Sequence, residues 1–377
     1  MAVPLEVYKT QRLMLVRFER AVTGEPDPEC PDPDDRGFTT PFGGPLVGVT
    51  QGKTVKIRLR RLKIESTAPL FVTSSDTTSL TIAEPGNGQL PSTDQTDIKI
   101  TGVNGGTDKK EAKVQVRFGS DTGVILHELT VWVWRELDVD VTPHRITINA
   151  SGTAGTTPTA DINAIMRKVG DIWGHYGIRF SVQPVINRTV TFATANIASD
   201  SPFPGEIATL LNTDWVPNTI NAYFIRQIGT QSTLGYGFSR SSFASFSLPN
   251  PGIILADRTG TGTTRSYVMF WANDLAHEIG HFFTLPHVEN QQIPNEREDT
   301  WSRRTLMHNF NEMRSRNPWP SNSSSGTPFR FRPRFNDAGY GTGRRGCFVT
   351  LKNLAQLARD GEATTARSVI TSPSGPY

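Results

Sequence analysis

The chain has 377 residues, with 39 Lys plus Arg against 36 Asp plus Glu, a net charge of +3. So small a surplus leaves no electrostatic footprint for nucleic acid or an anionic surface, and no apolar stretch reaches the length of a membrane span. The length suits two or three domains, and 33 Gly with 26 Pro favours strands and loops over a helix bundle.

Residues 1–45 are expected to hold one strand, in VYKTQRLMLVRFE, followed by a Pro/Gly/Asp-rich linker. Glu6, Lys9, Arg12 and Arg17 interrupt any apolar h-region, so a conventional secretory signal is not expected. That leaves export by a signal-independent route or a cytosolic location. Cys30 and Cys347 are far apart and make no disulfide framework. Cys30 reads as incidental, with a latency role as a metal-binding thiolate as the sharper alternative.

Residues 46–142 show short alternating segments parted by turn clusters: VKIRLRRLKIES, LFVTS, SLTIAE, TDIKITGV, AKVQVRFG and VILHELTVWVWRELDV. Period-two alternation with no helical period predicts an antiparallel, immunoglobulin-like β-sandwich. Within it His127-Glu128 imitates the start of a metal motif, but Val131 stands where a second His is needed, so the pair reads as structural.

After Pro143 the pattern changes. Residues 143–362 alternate strands and helices: RITINA, then a helix in TADINAIMRKVGDIWGHYG capped by Thr159 or Asp161 and stopped by Gly177. The strand IRFSVQPVI, a short helix in GEIATLLNT, and the strands INAYFIRQI, GYGFSRS and GIILAD follow. A helix over SYVMFWANDLAHEIGHFFTL comes next, then a long loop over 314–346, a last helix in LKNLAQLARDG and a frayed tail over 363–377. This order predicts an α+β domain with a mixed twisted sheet. His144 and His175 sit near element ends and read as caps or core hydrogen-bonders.

The run HEIGHFFTLPH carries the chemistry. His277 and His281 stand at i and i+4, so a helix presents both imidazoles to one point. Glu278 lies beside them. Pro286 ends the helix and pushes Leu285 towards an extended shape, which lets the chain turn back with His287. Three neutral imidazoles with a vacant fourth position make a catalytic rather than a structural zinc site. Glu296 and Glu298 are the rival third ligands, although the charged run around them reads better as a solvated segment.

HEIGHFFTLPH resembles the zinc signature of the metzincin metallopeptidases, H-E-x-x-H-x-x-G-x-x-H. RTLMHN resembles their Met-turn, and the element order with GYGFSRS as edge strand is similar to their N-terminal subdomain. The resemblance covers about Arg145 to Gly361. It implies that His277, His281 and His287 bind Zn²⁺, that Glu278 is the general base acting on a zinc-bound water, and that Met307 is the Met-turn residue. It further implies a peptide laid along the edge strand at Gly235, Tyr236 and Gly237. His308, Tyr236 and Tyr340 remain open as the second electrophile. There are two departures from the pattern: Thr284 holds the family's glycine position, where a left-handed backbone would be costly for a β-branched residue, and Asn309 stands where some members carry a tyrosine ligand.

The expected function is that of a zinc-dependent endopeptidase on protein or peptide substrates. The alternatives are a zinc amidase acting on cell-wall peptides and a catalytically degenerate binding or adhesion protein. The sandwich carries no chemical constellation and reads as a module that docks another protein or a cell surface, or as a spacer. The Arg residues between Arg314 and Arg345 read as loop charge rather than an anion site, and the Asp and Asn clusters lack calcium-loop spacing.

Overall fold

A computed structural model describes residues 15–20, 38–39, 46–150, 158, 160–174, 176–192, 205–226, 235–238, 248–256, 264–285 and 362–372. The chain divides into two compact units, with the break between Glu136 and Leu137.

The first unit is an immunoglobulin-like β-sandwich. One sheet runs β1 (Val16–Arg20), β4 (Thr54–Arg61), β7 (Gln95–Gly102) and β6 (Leu80–Glu84), antiparallel throughout. The other runs β2 (Phe38–Thr39), β3 (Leu46–Thr50), β9 (Val124–Trp134), β8 (Lys109–Phe118) and β5 (Leu70–Ser74). Strict alternation builds the shared core: Ile57 and Leu59, Ile98 and Ile100, Val114 and Val116, and Leu129, Val131 and Val133 all point inward. Each such side chain contributes about 1.5–3 kcal/mol on burial. His127 follows the same logic, stacking on Phe18 at 5.5 Å. Glu128, on the opposite side of the strand, binds Lys113 at 2.9 Å and Gln115 at 2.8 Å. The pair is structural, as expected.

The second unit is a mixed α/β fold on a largely parallel sheet. Its order is β11 (Ile178–Val182), β10 (Leu137–Ala150), β13 (Ile220–Ile225), β15 (Gly252–Ala256), β14 (Gly235–Phe238), with β12 (Ile186–Phe192) paired to β10 beyond β11. Among the described strands of this sheet, only β14 is antiparallel to its neighbour. All six residues of β13 and all five of β15 are buried, the continuous apolar run of parallel strands covered on both faces. Helix α1 (Ile162–Gly174) starts under Asp161, whose carboxylate accepts the Ala164 N–H at 3.0 Å. Helix α2 (Gly205–Asn212) buries Ile207, Leu210 and Leu211 against Ile146, Ile148, Tyr223, Ile225 and Ile254. Helix α3 (Thr264–Phe282) packs on α1, β14 and β15, and Trp173 meets Phe283 edge-on at 5.5 Å. The last described helix is α4 (Glu362–Thr371).

Several expectations need correction. The strand expected in the separate 1–45 segment belongs to the sandwich, because Val16 and Phe18 fill its core. The sandwich is not wholly antiparallel, since β3 pairs with β9 in parallel. The expected boundary at 142/143 falls inside one strand: β10 begins at Leu137 and pairs with β11 from there. IRFSVQPVI forms two strands, broken around Pro184. The 363–377 tail holds most of α4, with Ala366 and Arg367 buried. The helix expected at 351–361 and the 314–346 loop lie outside the described residues.

His144 is the core hydrogen-bonder the sequence suggested. It is fully buried, and its Nε2 donates to Asn221 Oδ1 at 2.9 Å. Its ring stacks on Tyr223 at 4.4 Å. Burial lowers its pKa against the raising effects of Asn221 and Asp214, with Arg188 adding a small lowering effect. The native state therefore binds fewer protons than the unfolded chain below about pH 6.5, so acid destabilises the fold through this group. His144→Phe should cost about 1–3 kcal/mol at neutral pH through the lost hydrogen bond. It should also lose less stability than the parent between pH 7.5 and 5.5, as urea unfolding at the two pH values would record.

Candidate metal centre

Helix α3 carries Asp274, His277, Glu278 and His281 at i, i+3, i+4 and i+7, which places them on one face. Among the described side chains off that face, Ala272, Leu275, Ala276, Ile279 and Phe282 are apolar and buried. The imidazoles of His277 and His281 stand 4.7 Å apart at 89° to one another. His281 Nδ1 lies 2.8 Å from the Leu285 carbonyl oxygen. A carbonyl only accepts, so Nδ1 carries the hydrogen, and in the neutral ring Nε2 is then the unprotonated nitrogen, the form a metal ligand requires. Burial lowers the His281 pKa, with the Leu285 hydrogen bond opposing, and the neutral form is the one a metal needs. This donor set suits Zn²⁺.

The end of α3 explains how Leu285 reaches that position. Leu285 N–H donates to Gly280 O and Thr284 N–H to His281 O, each at 2.9 Å. Thr284 itself has φ = 65°. These are the two hydrogen bonds and the left-handed residue of a Schellman cap. The departure from the family pattern at Thr284 therefore keeps the backbone that a glycine would supply, at a cost of about 1–2 kcal/mol.

Glu278 is enclosed between α3 and β14. Its pKa is pushed up to about 8, first by burial and then by the Asp274 carboxylate, with the Gly237 N–H pulling the other way. The residue as a whole keeps some open surface while its carboxyl is hemmed in by protein. A cation held by the two imidazoles would oppose both raising effects. Asp274, only 4% exposed, was missed by the sequence reading, although its four-residue spacing to Glu278 was the available signal.

Strand β14 reaches the site because it lacks side chains on that side. A Cβ at Gly237 would overlap the Glu278 carbonyl oxygen and lie 3.1 Å from His281 Cβ; one at Gly235 would lie 2.9 Å from Glu278 Cγ. Alternation then sends Tyr236 and Phe238 to the opposite face, where Tyr236 packs against the α2 core and stacks on Phe238 at 5.8 Å. This corrects one expectation: the Tyr236 ring faces away from Glu278 and His281, so it is no electrophile for this site, although its backbone stays in the outermost described strand.

Among the described residues no third metal-ligating side chain joins the pair. His287, Met307, His308, Tyr340, Glu296, Glu298, His175, Cys30 and Cys347 lie outside the described residues. Gly237→Ala should lift β14 off the helix, because the overlap is with backbone that cannot yield, and should cost about 1–3 kcal/mol. Gly235→Ala should cost less, since the Glu278 side chain can move. Urea midpoints of the two variants would give the ranking.

No protein-family model matches the chain, and no curated protein matches it. Among solved structures, the chain is similar to SSP-19, an MSP-domain protein-like family member of Caenorhabditis elegans, at 14% identity and TM-score 0.17 over 23% of this chain and 92% of that one. WR4, another C. elegans MSP family member, matches at 14% identity and TM-score 0.17 over 23% and 90%. A sialyltransferase from Photobacterium damsela matches at 9% identity and TM-score 0.18 over 48% of this chain and 35% of that one. At such scores these likenesses carry no functional argument.

Proposed function

We propose that the second unit is a metzincin-like, zinc-dependent endopeptidase. The observation that carries this reading is the ligand preparation on α3: two buried or half-buried imidazoles at right angles, one locked as the Nδ1–H tautomer, with Glu278 beside them. His277 and His281 would hold the metal, and His287 is the proposed third ligand at the spacing the motif requires. Met307 is the proposed Met-turn residue. When bound, Zn²⁺ supplies Lewis acidity to a carbonyl and brings the pKa of a water to about 7.

The chain's own groups do the rest. Glu278 takes the proton of the attacking water and delivers it to the leaving nitrogen of the peptide. Its enclosure by α3 and β14 keeps its carboxyl from full hydration, which strengthens its interactions with reacting charges. The outermost strand β14 offers backbone N–H and C=O groups on which an extended peptide can add as a further strand. The glycine side of that strand brings the added peptide close to Glu278 and His281.

A helix with two histidines four apart is common enough by chance, but chance does not account for the carbonyl-held tautomer or for the glycine strand laid on the glutamate. A degenerate binding protein would be favoured by a broken turn at Thr284, yet the turn has the left-handed backbone.

Glu278→Gln should keep the fold and bind zinc as the parent does, while casein cleavage drops about 10²–10⁴-fold, the usual contribution of a general base. Metal analysis and cleavage assays on the same preparation check this. Equal cleavage by parent and variant removes Glu278 from its role. Release of cell-wall peptides from peptidoglycan with none from casein would replace the endopeptidase reading with an amidase.

A further inference from the structure

The cap that ends α3 does more than close a helix. Leu285 uses both of its backbone polar groups on this turn: its N–H binds Gly280 O at 2.9 Å and its carbonyl takes the His281 Nδ1 hydrogen at 2.8 Å. The first bond exists only while Thr284 holds φ = 65°, because the reversal of chain direction at that residue brings Leu285 back over the last helical turn. The second bond depends on the same reversal. A helix continued through Thr284 would point the Leu285 carbonyl along the axis, away from the His281 ring. Helical side chains lean towards the N-terminus, so a carbonyl beyond the C-terminus meets Nδ1 of His281 only where the chain folds back.

We propose that the Thr284–Leu285 turn is the positioning element of His281: it selects the imidazole tautomer and fixes the ring before any metal arrives, so the shape of the helix cap and the affinity of the site for a divalent cation are coupled. Thr284 is a positioning residue acting through the Leu285 carbonyl. The choice of threonine has a consequence of its own. A β-branched residue resists the left-handed conformation that glycine adopts freely, so the cap opens more readily here than a glycine cap would. Each opening frees Nδ1–H, lets the ring rotate and lets the proton exchange between the two nitrogens.

The affinity part of this inference rests on the zinc reading; the tautomer part does not. Imidazole ¹⁵N shifts of the metal-free full chain should show His281 protonated on Nδ1 with Nε2 bare. In Thr284→Gly the cap should tighten: the tautomer stays, the protein melts at a higher temperature, and zinc binds as tightly as in the parent or more so. In Thr284→Pro, whose φ cannot become positive, the ring should populate both tautomers and zinc affinity should fall about 10–100-fold, the usual loss when a ligand's hydrogen-bond partner is removed.

An Nε2–H tautomer in the parent overturns the proposal, as does a Thr284→Pro variant that keeps the Nδ1–H tautomer. A parent with the Nδ1–H tautomer but no zinc binding would uphold the positioning role while ending the zinc reading. If Thr284→Pro does not fold, proton exchange between the two ring nitrogens decides the matter: slower exchange in Thr284→Gly than in the parent upholds the positioning role, and equal exchange overturns it. A merely structural cap would shift melting in these variants without changing which nitrogen carries the proton.

Discussion

The close approach of β14 to α3 is the constraint on which the site depends. Helix and strand can lie this near only because positions 235 and 237 carry no Cβ. That contact encloses Glu278, directs the Gly237 N–H towards its carboxyl and turns the Tyr236 and Phe238 rings to the far side of the sheet. It also makes an antiparallel strand the boundary of a largely parallel sheet. Parallel strands must be covered on both faces, so α2 serves one face while α1 and α3 serve the other, and α3 is a packing helix before it is a candidate metal-binding one. Among its described side chains, Trp271, Ala272, Leu275, Ala276, Ile279 and Phe282 are committed to packing, and Asp274, His277, Glu278 and His281 form the polar stripe.

The two units spend hydrophobicity differently. The sandwich is built mainly by alternation, apolar residues inward and most charged residues outward, with pairs such as Lys113–Glu128 on its outer surface; Arg61 is buried and His127 stacks on Phe18. The second unit buries whole strands and places titratable groups inside, among them His144, Asp274 and His277. Buried ionisable groups are costly unless an interaction compensates. At His144 the compensation is Asn221 and the Tyr223 ring. At His281 it is Leu285. The contrast leaves the second unit with buried ionisable groups at His144, Asp274 and His277, the last two beside the proposed metal site.

Thr284 shows local preference yielding to tertiary geometry. A β-branched residue in the left-handed region contradicts propensity, and such contradictions collect where a site demands a particular backbone. Among the described residues, Asp214 and Asn218 share this conformation, but their short polar side chains tolerate it. Thr284 has no such excuse, and its position is the one that aims the Leu285 carbonyl at His281.

Much of this protein was legible in its residues taken in order. The i, i+4 spacing of His277 and His281 is a local fact of helix geometry, and the alternation of β4, β7 and β8 is local to each strand, so both survive without knowledge of the rest. Asp161 as a cap and Gly177 with positive φ are equally local. What the order of residues left undecided was pairing over long separations. The docking of β1 beside β4, the parallel union of β3 with β9, and the start of β10 at Leu137 depend on partners dozens of residues away. The fate of Tyr236 was decided in the same way: alternation says that it opposes its neighbours, but only the packing of β14 against α3 says which side holds the glutamate. Local periodicity is written in neighbouring side chains, whereas register and facing are set by which distant apolar surfaces can be buried together.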